Sequence, residues 1–181
     1  MPLTEAQLQA AARGAYERSR LSKAVAVAAP VAVLPALSFW LGTSLASATL
    51  LGGALVAAVL LVVWRGGAVA LSGAVGLKAG VVPLAFAHAA KLFGHVCTPA
   101  GCTTLCVPAC ATGGVIAGAL VEWWARRSPR AHLTRGLGAG VALMTGALGC
   151  SCVGYAGVAA LLVGLAASMV AGRFVSRGTP A

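Results

Sequence analysis

Apolar residues in this chain come in long runs, each closed by a short polar or glycine-rich break. A helix needs roughly 20 apolar residues to cross hydrocarbon, and on that measure the runs predict six short spans. The first is Ala24 to Leu41 and the second Leu45 to Trp64, with Gly42-Thr43-Ser44 as the turn between them. Arg65-Gly66-Gly67 ends the second span and opens the third, which runs to about Ala90. The fourth covers Cys106 to Trp124 and is followed by a basic loop, Arg126 to Arg135. The fifth and sixth are Gly136 to Gly149 and Tyr155 to Gly172, joined through Cys150-Ser151-Cys152. The expected fold is an all-α integral membrane protein, a compact bundle of about six short transmembrane helices behind a short N-terminal cytoplasmic helix. Residues 1–23 form that helix, 24–172 the bundle and 173–181 a cytoplasmic tail.

Thr4-Glu5-Ala6-Gln7 reads as a capping box, with Leu3 and Leu8 as its hydrophobic staple. It starts a helix from about Glu5 to Ser22 whose weak apolar stripe contains Leu8, Ala11, Ala12 and Ala15. One reading is a solvated or headgroup-lying helix that anchors the first span. The other is a docking helix for a cytoplasmic partner, with Leu8, Ala12 and Ala15 as anchors. Tyr16 and Leu21 would flank them, and Arg13 and Arg18 lie beside them. The apolar stretch that follows carries Pro30 and Pro35 and no clear cleavage site, so the first span is expected to stay in the membrane.

Composition sharpens this picture. The chain is 60% hydrophobic and only 9% charged, against about 25% in soluble domains. Three acidic residues (Glu5, Glu17, Glu122) face thirteen basic ones, for a net charge of +10. The basic residues form no stripe or tail of the kind nucleic acid would select. They sit at the ends of apolar runs, which is the positive-inside pattern, and no direct nucleic-acid binding is expected. With six spans, eleven of the thirteen fall on one side: Arg13, Arg18, Arg20, Lys23, Arg65, Arg126, Arg127, Arg130, Arg135, Arg173 and Arg177. That side is the cytoplasm, so both termini are expected there, with the chain in a bacterial inner membrane. Trp64 and Trp123-Trp124 precede arginines, where amphipathic rings settle at headgroups. Gly76 with Gly80, Gly114 with Gly118 and Gly136 with Gly140 are spaced for close helix approach. Lys78 lies within the third span; it snorkels, or the span begins later than drawn.

The candidate chemistry is in the cysteines. Cys97, Cys102, Cys106 and Cys110 fall before and at the start of the fourth span, and Cys150 and Cys152 between the fifth and sixth. All six lie on the face opposite the arginines, and the two groups can meet across the bundle. Three readings compete. Structural disulfides suit an even count on an oxidising face, and six cysteines allow 15 connectivities. An oxidant sensor would rearrange a subset of them. A soft-metal site for copper, zinc or a similar ion would use thiolates, with His88 and His95 as further ligands. No cofactor is implied beyond that ion. A transporter would place carboxylates in the membrane, and the only candidate is Glu122 at the inner boundary. Without a Cys-x-x-Cys pair, a Ser/His/Asp set or a phosphate loop, the chain is not expected to be an enzyme.

The layout resembles small polytopic bacterial membrane anti-sigma factors, the NrsF-like and CarR-like proteins. The likeness lies in a short cytoplasmic helix, six spans, Arg-rich inner turns and extracytoplasmic thiols, and it covers the whole chain. The resemblance implies a mode of action, in which a membrane protein holds a cytoplasmic sigma factor inactive until a stress signal releases it. A soft-metal carrier or detoxification protein is the alternative. A membrane protein with a disulfide-stapled outer face and no signalling role is the third.

Overall fold

A computed structural model describes residues 4–40, 44–93, 95–98, 101–150 and 154–177, without the side chains of 95–98, 101–104 and 175–177. The elements are α1 (Glu5–Val31), α2 (Val33–Trp40), α3 (Leu45–Arg65), α4 (Gly67–Phe93), β1 (His95–Thr98), β2 (Gly101–Thr104), α5 (Cys106–Arg127), α6 (Ala131–Cys150) and α7 (Tyr155–Arg177). Apart from the small hairpin, the described fold is all-helical.

Local chemistry explains most of the boundaries. The Thr4 backbone N–H donates to Gln7 Oε1 at 3.0 Å, so the predicted capping box starts α1; Leu3, its expected staple, lies outside the described residues. The helix does not stop near Ser22. It runs unbroken through Lys23 into the apolar stretch, and so N-terminal segment and first span are one rod. The break comes at Ala32, between Pro30 and Pro35, neither of which can donate to the carbonyl four residues back. Ser44 caps α3 by accepting from the Ser47 N–H at 3.2 Å. The turn into α4 uses positive φ at Gly66 (69°) and Gly67 (56°), a region costly for other residues.

Two expectations change. The basic loop from Arg126 to Arg135 is mostly helix: Arg126 and Arg127 close α5, and Arg135 lies in the second turn of α6. Only residues 128–130 connect the two, with Ser128 Oγ accepting from the Arg130 N–H at 3.3 Å. The stretch before α5, left between the third and fourth spans with no element of its own, forms an antiparallel hairpin that sets Cys97 opposite Cys102.

Five rods are long and apolar enough to cross a membrane: α1 with α2, α3, α4, α5 and α7. Helix α6 has 20 residues but does not reach that apolarity. Half of it is buried, including Gly138, Gly146 and Gly149, so its composition answers to neighbouring helices more than to lipid.

Packing is organised as two parallel pairs. On α4, Gly76 meets the Gly138 backbone of α6 and Gly80 meets Ala142 and Thr145; nearer the other end, Gly149 of α6 meets Ala87. On α5, Gly114 meets Leu161 and Gly118 meets Leu165 and Ser168 of α7. The pairs α4/α6 and α5/α7 lie antiparallel to one another, with Pro83 of α4 against Gly113 of α5 and Ala79, Ala117, Val121, Ala142 and Leu165 between them. Helices α1 and α3 close on the α4/α6 side through Ala28, Val31, Leu55, Val59, Leu84, Val141 and Leu148.

Candidate functional site: a thiol end and a basic end

Helix direction decides where the cysteines go. Because α5 and α6 are antiparallel, the first turns of α5 and the last residue of α6 share one end of the bundle. Cys110 and Cys150 form a disulfide there, with Cα atoms 6.1 Å apart and 40 residues between them in sequence. Both residues are fully buried, packed with Ala87, Ala147 and Leu161. The two sequence groups of cysteines therefore meet across the bundle, as expected. Cys150 ends α6 rather than sitting in the turn. Cys106 is a free, half-buried thiol one helical turn before Cys110, on the same face of α5. Cys97 and Cys102 are partners in the hairpin register, and Cys152 lies outside the described residues.

His88 lies on α4 towards the same end, with both ring nitrogens buried and no hydrogen-bond partner among the described residues. The side chain of His95 on β1 is not among those described. Among the described residues, no three His, Cys, Asp or Glu side chains gather as a metal site.

The opposite end is built around one carboxylate. Glu122, on α5, is only 2% exposed. Arg135 of α6 grips it with two hydrogen bonds, Nε to Oε2 at 2.7 Å and Nη2 to Oε1 at 2.8 Å, the bidentate geometry that makes such pairs strong. Arg126, one turn on, donates Nε to Oε1 at 3.4 Å and Nη2 to the Gly172 carbonyl of α7. One buried acid thus ties α5, α6 and α7 together. In the sequence Glu122 stands as the one candidate carboxylate at the inner boundary, with no partner assigned. The readable signals were Arg126 at i+4 and the fact that a lone acid in an apolar run needs a cation. At the same end of the bundle, the hydroxyls of Ser72 (α4) and Thr134 (α6) are 3.2 Å apart in the interior.

At this end α1 is fastened by Arg20, which donates Nη2 to the Trp64 carbonyl near the end of α3 and whose guanidinium stands 5.5 Å from the Tyr16 ring centre. Leu8, Ala12, Arg13, Ala15, Tyr16, Arg18 and Leu21 are all exposed. No described element covers the face on which the docking anchors were predicted. Arg65, Arg126, Arg127 and Arg130 are at this same end, and Arg127 lies 3.6 Å over the Trp123 ring.

The bundle thus separates two chemistries along its axis. The α5–α6 contact, which with α4–α5 joins the two helix pairs, is linked covalently at the thiol end and ionically at the basic end. Comparison with known protein families, characterised proteins and solved structures finds no match.

Proposed function

We propose that this protein is a membrane-embedded sensor-regulator that reads thiol chemistry outside the cytoplasm and controls a cytoplasmic regulatory protein, of the sigma-factor class implied by the resemblance in layout. The observation that carries this reading is the α5–α6 link between a thiol end and a basic end (Cys110–Cys150 at one, Glu122–Arg135 at the other). Forming the disulfide delivers two electrons and two protons to an oxidant of the peroxide class; opening it draws the same from a dithiol. The bond crosses the joint between α4/α6 and α5/α7, so its state changes how firmly those pairs are held at the thiol end. A rigid helix pair carries the difference to the basic end, where the exposed α1 anchors meet the partner. Cys106, the half-buried thiol one turn from Cys110, is the access point to an otherwise buried bond.

The test is a transcriptional reporter for the partner's target genes. Deleting residues 2–20 should leave the protein inserted and the reporter constitutively on. Cys110→Ser and Cys150→Ser should each fix the reporter in one state, unresponsive to oxidant. A deletion variant that inserts normally and still represses the reporter would sink the docking role of α1.

A further inference from the structure

Lys78 plays no part in either end and lies midway along a rod apolar enough to span a membrane. Helix α4 has 27 residues, Gly67 to Phe93, and Lys78 is two residues from its central Gly80. The neighbouring levels agree: flanking Gly76 and Gly80 touch Gly138 and Ala142, which bracket the middle of α6. The whole of Gly67–Phe93 is long and apolar enough to cross a membrane, and its first residues lie at the same end of the bundle as Arg65, so a span drawn on it holds Lys78 well inside. Lys78 is exposed, on an outward stripe with Leu71, Ala74, Val81 and Ala85.

On the reading that the bundle spans a membrane, this ammonium lies near the bilayer midplane on a face the fold leaves uncovered. The nearer headgroups are about 12 Å away, half of a ~30 Å hydrocarbon core less two residues of about 1.5 Å rise. A four-carbon stem covers only about half that distance, so snorkelling alone does not return the charge to water. Buried charges persist in membranes when they are paired or face protein. This chain has no carboxylate to offer at that depth, whether from itself or from a second copy. Glu5 and Glu17 are on the exposed part of α1, and Glu122 is held by Arg126 and Arg135 at the basic end.

We infer that the outward face of α4 docks a membrane-spanning helix of another protein, one with an Asp or Glu at mid-span that pairs with Lys78. Ala74 and Ala85 keep the face low enough for that helix to approach, while Leu71 and Val81 pack beside the ion pair. Charge complementarity identifies the occupant, since lipid and a second copy both lack an anion at this level.

The experiment uses the full chain in membranes of the cell that makes it. A photo-crosslinking residue replaces Ala74 or, separately, Val81, and a hydrophobic carbodiimide is used to join Lys78 to any carboxylate in contact. The expected result is a protein adduct from both chemistries, mapped by mass spectrometry to one apolar segment containing an acidic residue. Lys78→Leu should abolish the carbodiimide adduct and cut the photo-adduct about tenfold, the loss of about 1.4 kcal/mol of pairing. Lys78→Arg should keep the photo-adduct. Adducts with lipid alone, with a second copy of this chain, or with a segment lacking an acid would overturn the inference. Alkaline carbonate extraction of the same membranes separates the two levels: release of the chain defeats the membrane reading itself, whereas retention with lipid-only adducts defeats only the docked helix.

Discussion

Gly76, Gly80, Gly114 and Gly118 sit where one helix backbone touches another, and the missing Cβ is what permits it. A Cβ on Gly76 would lie 2.9 Å from the Gly138 Cα, and one on Gly80 would lie 2.6 Å from the Thr145 Cβ. Both are closer than real side chains come, and the opposing atoms include backbone that cannot rotate away. Gly76→Ala and Gly114→Ala should each cost about 1–3 kcal/mol through overpacking, read as earlier unfolding in detergent. Gly136 and Gly140 have the same spacing, yet nothing lies within 4 Å of either Cβ position. Alanine there should be neutral or stabilising by up to about 1 kcal/mol, since glycine weakens a helix interior. Spacing alone marked all three pairs; only the packed structure shows that Gly138 is the glycine α6 uses against α4.

At the scale of elements, α5 and α6 rest on two unlike links. The ionic one is asymmetric. Arg135 makes two short hydrogen bonds to Glu122 and its side chain is 26% exposed; Arg126 makes one at 3.4 Å and is 40% exposed. Removing Arg135 strands a buried carboxylate, so Arg135→Ala should cost about 3 kcal/mol. Arg126→Ala removes a solvent-screened partner and should cost less than about 1 kcal/mol. Chemical unfolding of the two variants in detergent would measure the difference, and equal losses would contradict the assignment of Arg135 as the main partner. The polar Arg135 and Thr134 also explain why α6 is the least membrane-like rod by composition. They satisfy Glu122 and Ser72 inside the bundle rather than facing lipid.

Across the whole molecule, aromatic side chains gather at both ends. Trp64, Trp123, Trp124 and Phe174 are exposed at the basic end; Trp40, Phe93 and Tyr155 are exposed at the thiol end. Along α7, Tyr155 and Phe174 are about 28 Å apart at 1.5 Å per residue, close to a hydrocarbon thickness of about 30 Å. Interfacial rings at that separation are what a spanning bundle requires. With eleven of thirteen basic residues at one end, both termini should face the cytoplasm. A reporter active only outside the cytoplasm should work when fused at Gly101 and fail when fused at Ala181; activity at Ala181 would invert or break the topology.

Long apolar runs, their breaks and the distribution of arginines were enough to anticipate the helical rods, the Gly66-Gly67 turn and the cap at Thr4, because each is set by neighbours a few residues away. The separation of cysteines from arginines was legible for the same reason, since each turn falls at one end or the other of a rod. The continuity of α1 through Lys23 was not legible, because charge marks where a rod leaves an apolar environment and not where its hydrogen bonding stops. Nor could sequence choose one of 15 cysteine pairings or join Glu122 to Arg135. Those contacts depend on which helix lies against which. That choice was made by where backbones approach most closely, at Gly76–Gly138 and Gly114–Leu161, and only the tertiary structure contains it.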